Sequence, residues 1–176
     1  MKAPESHRHA APKVVGFYVV TVSSSRFAKK ESGEPFLDES GDLAKKIITR
    51  SGHKVKGSEL VDDDKEMIID ALKNGIATPG VDVVVFTGGT GVSPRDVTVE
   101  AVRPSLDKEI PGFGEVMRSV SYARIGSPAM LSRATAGLVR GKLVLLLPGS
   151  PDAVETGLNL LIGDVPHIVY VAHKRG

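Results

Sequence analysis

The chain contains no cysteine and no tryptophan among its 176 residues. Without cysteine there is no disulfide framework, no thiol nucleophile and no thiolate metal site. Aromatic residues make up only 5% of the chain, and the 23 Lys+Arg are offset by 21 Asp+Glu to a formal net charge of +2. Basic residues so balanced, and scattered without aromatic neighbours, exclude a dedicated nucleic-acid binder and leave acidic small molecules as candidate partners. No apolar run approaches the roughly 18 residues of a membrane span, and the N-terminal residues lack the apolar core of a signal peptide. The expectation is a cytoplasmic protein with no membrane partner. No internal repeat or low-complexity tract is visible.

What is present is ordinary globular material, 41% hydrophobic and 25% charged, at a length that suits one domain. Residues 1–13 show no periodicity and read as a flexible tail, in which His7 and His9 lack the further ligands a metal would need. Residues 14–176 read as the single domain.

That domain is organised around residues 83–96, VVVFTGGTGVSPRD. Val83, Val84, Val85 and Phe86 have no polar alternation, which predicts a central strand buried on both faces. Gly88, Gly89 and Gly91 then open the backbone to conformations closed to other residues and let main-chain N–H groups approach a ligand, with Thr87 and Thr90 adding hydroxyls. Ser93, Pro94 and Asp96 carry helix-start chemistry, with Ser93 as N-cap. A strand, a glycine turn and a helix entry in this order form an anion site at the carboxyl end of a parallel sheet. The loop is neither a Walker A, lacking Lys-Ser/Thr, nor a dinucleotide fingerprint, lacking the third glycine.

The flanking segments fit the same sheet. Residues 14–22 predict the first buried strand, delivering Ser23, Ser24 and Ser25 to the rim of the loop. Residues 26–37 are charged, contain Gly33 and Pro35, and read as a surface loop. A helix follows from Asp38 to near Ser51, then an edge strand over 55–61 and three acids, Asp62, Asp63 and Asp64. Asp63 and Glu66 have capping-box spacing ahead of an amphipathic helix, so Asp63 reads both as a cap and as a ligand-facing carboxylate. Asp96 and Glu100 are four residues apart, on one face of the predicted helix, where they could share a cation. Residues 111–114 read as a turn before a helix carrying Val116, Met117 and Val120. Residues 131–139 and 143–147 predict a strand pair around a short turn, and the second strand ends in Pro148, Gly149 and Ser150, with Ser150 as N-cap. This second turn repeats the geometry of the first.

Six segments, LDESG, DDD, FTGGTGVSPRDVT, EIPGFGEVMRSVS, LSRATAG and LPGSPDAV, occur in this order. Together they resemble the molybdenum-cofactor biosynthesis family of MogA and MoaB proteins, whose domain also occurs in gephyrin and Cnx-type proteins. The resemblance implies a three-layer α/β/α sandwich with a mostly parallel central sheet, assembled as a homotrimer or homohexamer, with other cofactor-biosynthesis proteins as further partners. It also implies molybdopterin as substrate, ATP as co-substrate and Mg2+ as cofactor, with AMP transferred to the terminal phosphate of the pterin. The family's acidic pair maps onto Asp63 and Asp96, with Glu100 as a further candidate Mg2+ ligand. Its phosphate loop maps onto Thr87, Gly88, Gly89, Thr90 and Gly91, and its second ligand turn onto Pro148, Gly149 and Ser150. Where many members read Pro-Asp, this chain has Asp62-Asp63. Two alternatives stand beside the adenylyltransferase: a non-catalytic molybdopterin carrier and a nucleotide-hydrolysing relative. Transfer of this kind needs backbone donors and charge neutralisation rather than a protein nucleophile, so the lack of one is no objection.

Overall fold

A computed structural model describes residues 11–173, so His7 and His9 lie outside the described residues. In chain order the elements are strand β1 (Gly16–Val22), helices α1 (Ser24–Ser32) and α2 (Glu39–Arg50), β2 (Lys54–Val61), α3 (Lys65–Ala77), β3 (Val83–Thr87) and α4 (Thr98–Val102). They continue with β4 (Lys108–Glu109), α5 (Pro111–Ile125), β5 (Thr135–Val139), β6 (Lys142–Leu147), α6 (Pro151–Leu161) and α7 (Val165–His173).

The strands form one sheet in the order β2-β1-β3-β6-β5-β4. β2, β1, β3 and β6 run parallel, β5 is antiparallel to β6, and β4 is antiparallel to β5. Alternate residues of the central strands enter opposite layers, as the two-residue period of a strand requires. On one face Phe17, Val19, Val83, Val85, Leu143 and Leu145 pack with Ala44 and Ile48 of α2, Met117 of α5 and Val154 and Leu158 of α6. On the other, Val20, Val84, Phe86, Val144 and Leu146 meet Ile68, Ala71 and Leu72 of α3 and Val102 of α4. The result is the three-layer sandwich expected. Because β3 is covered on both faces, each of its residues from Val83 to Thr87 is buried, at a gain of about 1.5–3 kcal/mol for each large apolar side chain.

The topology fixes where a ligand can bind. From β1 the chain moves outward to β2, then returns past β1 to β3, with α2 on one face and α3 on the other. The order therefore reverses between β1 and β3, and a crevice opens at their carboxyl ends.

Three local expectations are corrected. Residues 24–32, overlapping the stretch 26–37 read as a loop, form α1: Ser23 caps it by accepting from Arg26 N–H, and Gly33, at φ 74°, closes it. None of its residues is buried, so it shows no apolar stripe. The glycines at 112 and 114 belong to the first turn of α5, with Pro111 at the first helical position. The first strand of the hairpin begins only at Thr135, because Leu131 ends a 3₁₀ turn. The hairpin itself is present, with Arg140 and Gly141 at φ 50° and 78° supplying the tight turn.

Candidate functional site

Thr21, Thr87 and Leu147 are register partners across β1, β3 and β6. The loops that follow these strands therefore leave the sheet at one level. Gly88 continues the ladder by donating to Leu147 O at 2.9 Å. Gly88 and Gly89 hold φ of 108° and 65°, conformations that side chains penalise. A Cβ at Gly88 would run into the carbonyl oxygen of Val22, and one at Gly149 would lie 3.1 Å from the Cα of Gly88. The glycines thus let three backbone segments meet where larger residues would hold them apart.

Asp63 enters this rim from the end of β2. Its Oδ2 accepts from both the N–H and the hydroxyl of Ser24, each at 2.9 Å. It is not the helix cap. Asp64 caps α3 by accepting from Met67 N–H at 2.9 Å, one residue later than the spacing with Glu66 implied. That shift leaves Asp63 free to face the loop, where a Cβ on Gly89 would sit 3.1 Å from its Oδ1. Asp96 lies on the other flank. A Cβ on Gly91 would be 2.8 Å from its Oδ2, which accepts from Ser93 N–H at 2.9 Å.

The helix expected to start at Ser93 does not form there. Residues 91–95 run as bends and turns, 96 and 97 are irregular, and α4 begins at Thr98 without a side-chain cap. Thr98 is pinned to the glycines instead, its hydroxyl donating to Gly88 O at 2.9 Å and its N–H to Gly89 O at 3.0 Å. This places Asp96 in the connection ahead of the helix.

The remaining expected residues divide. Ser23 and Ser25 are on the rim with hydroxyls 3.3 Å apart, and Ser23 is also the cap of α1. Ser150 caps α6, as expected, through Ala153 N–H at 3.3 Å, and Pro148 and Gly149 are half-buried beside Gly88. Thr87 and Thr90 are 0% and 2% exposed, and neither hydroxyl has a hydrogen-bond partner. Ser40 of α2 carries a third such hydroxyl. Among the described residues, no hydrogen bond takes up the amides of Gly89, Thr90, Gly91 and Val92 either. Each buried unpaired group costs about 1–3 kcal/mol, and an anion in the loop would satisfy those that face it.

Arg133, which no sequence pattern singled out, organises the far side of the loop. Its Nε donates to Gly91 O at 2.7 Å, its Nη2 to Asp96 O at 3.0 Å, and its guanidinium forms a two-pronged ion pair with the Glu100 carboxylate. Its own N–H donates to Thr90 O at 3.0 Å. The hydrogen bonds from Arg133 hold the Glu100 carboxyl below the usual carboxylate range. Glu100 is thus engaged by a cation of the protein itself.

The two aspartates have the donor chemistry that a divalent cation takes. Mg2+ commonly takes one or two protein carboxylates and completes its shell with water and substrate phosphates. Oδ2 of each aspartate is held by the loops around it, and Oδ1 of each stands outside those bonds. Among the described residues no group of three or more His, Asp or Glu could cage a metal without substrate. The cleft beside the loop, about 400 Å3, includes Lys65, Ser93, Asp96, Glu100 and Arg133. Beyond Arg133 opens a cavity of about 830 Å3 lined by Arg103, Glu109, Arg118 and Thr135 among others. Asp96 lines the smaller space and neither aspartate lines the larger one.

Residues 18–167 match the family described as "Probable molybdopterin binding domain". The chain belongs to that family. It is 44% identical over 171 residues to the molybdenum cofactor biosynthesis protein B of Bacillus cereus, covering 96% of this chain and 97% of that one. It is 43% identical over 174 residues to the molybdopterin adenylyltransferase of Pyrococcus furiosus, covering 97% and 98%. The solved structure of the tungsten cofactor synthesizing protein MoaB from Pyrococcus furiosus superposes with a TM-score of 0.81 at 42% identity, covering 93% of this chain and all of that one. The sandwich described above is thus the fold of that family. No helix among the described residues is long and apolar enough to cross a membrane.

Proposed function

We propose that this molybdopterin-binding domain is a molybdopterin adenylyltransferase of molybdenum cofactor biosynthesis, using ATP and Mg2+. One observation carries the reading: Asp63 and Asp96 flank a single glycine loop, one against Gly89 and the other against Gly91, at the switch point of the sheet. Full-length similarity to a relative named for this activity supports it.

In the reaction, an oxygen of the pterin's terminal phosphate attacks the α-phosphorus of ATP. The bond from that phosphorus to the β-bridging oxygen breaks, and pyrophosphate leaves with the electron pair. The protein's work is positional and electrostatic. The free amides at 89–92 and the hydroxyls of Thr87 and Thr90 hold phosphate oxygens, and Ser23, Ser24, Ser25, Gly149 and Ser150 close the rim. Asp63 and Asp96 would hold Mg2+, which supplies charge neutralisation on the phosphates when bound. Ser24 keeps the Asp63 carboxylate turned to the loop, and Ser93 does the same for Asp96.

The domain is further proposed to work as a homotrimer or homohexamer in the cytoplasm. Val116, Val120, Tyr122, Ile125, Met130 and Leu131 of α5 and the following turn are exposed apolar side chains, which supports a further packing surface there.

The test is the purified protein with molybdopterin, ATP and Mg2+, assayed for pyrophosphate and adenylylated pterin. Both products are expected, and neither without Mg2+. Tight pterin binding with no pyrophosphate would identify a carrier, and nucleotide hydrolysis independent of pterin would identify a hydrolase.

A further inference from the structure

We infer that Arg133 is the positioning residue that sets the loop 91–96 and, through it, the Asp96 carboxylate. This rests on the reading of Asp96 as part of the transferase site.

The connection from β3 to α4 has two kinds of segment. Residues 87–90 are anchored by the sheet, by Leu147 O and by Thr98. Residues 92–95 are exposed, and the bonds among Ser93, Arg95 and Asp96 are internal to the turn. Among the described residues, the hydrogen bonds that lead from 91–96 to a distant part of the chain both come from Arg133, to Gly91 O at 2.7 Å and to Asp96 O at 3.0 Å. They grip the stretch at its two ends. The carbonyl of Asp96 belongs to the residue whose carboxylate faces Gly91, so fixing that peptide fixes where the side chain starts.

Arg133 is well suited to this task. Its guanidinium is a planar fork, able to meet two carbonyls and a carboxylate at once, which an ammonium cannot do in the same geometry. Its backbone lies between the 3₁₀ turn that ends at Leu131 and the start of β5, and its N–H is tied to Thr90 O at 3.0 Å. The adjoining end of the guanidinium, Nη1 and Nη2, is occupied by Glu100 on α4. Glu100 thereby has a role other than cation ligand: it keeps the fork aimed at the two carbonyls. Both side chains are part-exposed, at 32% and 41%, so removing the pair leaves no buried charge behind and the variants should fold.

The experiment combines amide hydrogen exchange with steady-state kinetics on the intact chain. In Arg133→Ala, exchange at the three bonded amides of the loop, those of Ser93, Arg95 and Asp96, should accelerate at least tenfold while β1, β3 and β6 keep their protection. The pyrophosphate-forming kcat should fall at least tenfold, with KM for ATP changed by less than about threefold. Arg133→Lys keeps the charge but not the fork and should behave like Arg133→Ala. Glu100→Gln should leave the Mg2+ concentration for half-maximal activity unchanged, while moving exchange at Ser93, Arg95 and Asp96 in the same direction as Arg133→Ala by a smaller factor. Unchanged exchange at Ser93, Arg95 and Asp96 in Arg133→Ala overturns the inference, as does recovery of kcat in Arg133→Lys. A several-fold rise in the Mg2+ requirement of Glu100→Gln would return that carboxylate to the metal. If the wild-type protein makes no adenylylated pterin, the transferase reading fails on its own. The exchange data would still decide whether Arg133 sets the loop.

Discussion

The turns after β3 and β6 look alike in sequence and differ in structure. Each follows a buried apolar strand, and each runs through glycine to Ser-Pro with an aspartate nearby. After β6, Ser150 caps at once, Pro151 takes the first helical position and α6 proceeds. After β3, the same signals produce no helix at 93, and the chain travels to Thr98 before α4 starts. The difference lies in what competes for the backbone. Thr98 is claimed by Gly88 and Gly89, the carbonyls of Gly91 and Asp96 by Arg133, and Ser93 N–H by the Asp96 side chain. One turn spends its polar groups on starting a helix. The other leaves amides and two hydroxyls unpaired around a carboxylate pair, the arrangement a charged ligand needs and a structural connection avoids.

The largest effect separating the turns should come from Asp63 and Asp96, which flank only the first. Asp63→Asn and Asp96→Asn should each lower kcat on the order of a thousandfold while molybdopterin still binds, because an amide of the same shape cannot supply the negative charge that holds Mg2+. Neither aspartate caps α3 or α4, and an amide oxygen at 63 can still accept from Ser24, so the denaturation midpoint should barely move. Near-normal pyrophosphate release from either variant would make that carboxylate structural.

A methyl added at each turn should show next how tightly the segments meet. Gly88→Ala places a Cβ against the carbonyl of Val22, at φ 108°, and should cost more than about 3 kcal/mol in urea unfolding. Pterin binding alone is therefore a poor readout for that substitution. Gly149→Ala, with an ordinary φ and a Cβ 3.1 Å from Gly88 Cα, should cost about 1 kcal/mol. Equal losses would mean that Gly88 adopts another conformation in solution. Gly91→Ala sharpens the contrast further, since the atoms nearest its Cβ are those of the Asp96 carboxylate, at 2.8 Å. Activity should fall about tenfold, equivalent to about 1.4 kcal/mol, with the unfolding midpoint close to wild type. A loss of stability without a loss of activity would place Gly91 with the scaffold.

What sequence could and could not disclose follows the same division. The strands over 83–86 and 143–147 were legible because unbroken β-branched and aliphatic runs have few other uses, and the order of motifs carried the fold with them. Helix α1 was not legible, because it buries none of its residues and so leaves no apolar period. The cap of α3 was displaced by one residue because three adjacent aspartates offer the same chemistry, and only the pull of Ser24 on Asp63 decides among them. Arg133 is 42 residues from Gly91, and no local pattern connects the two. Its motif, LSRATAG, marked the neighbourhood without naming the side chain. The orphaned hydroxyl of Ser40 lay within LDESG in the same way, since burial without a partner is a property of the fold.

The smallest effect expected is the one that most directly compares the turns, because it asks whether the same residue type does the same work in both. Ser150 Oγ accepts from Ala153 N–H at 3.3 Å at the head of a helix whose Val154 and Leu158 are 0% and 1% exposed. Ser150→Ala removes an N-cap from an element that the core depends on and should cost about 1 kcal/mol. Ser93 Oγ also accepts a backbone N–H at 3.3 Å, from Arg95, but in an exposed turn that starts no helix. Water can take that bond, and the Ser93 N–H that orients Asp96 is unaffected by truncating the side chain, so Ser93→Ala should cost less than about 0.5 kcal/mol and spare activity. Urea titration of the two variants decides it. If Ser93→Ala loses as much as Ser150→Ala, residues 93–97 form a capped helical turn in solution, and the contrast between an open loop and a closed connection fails at its origin.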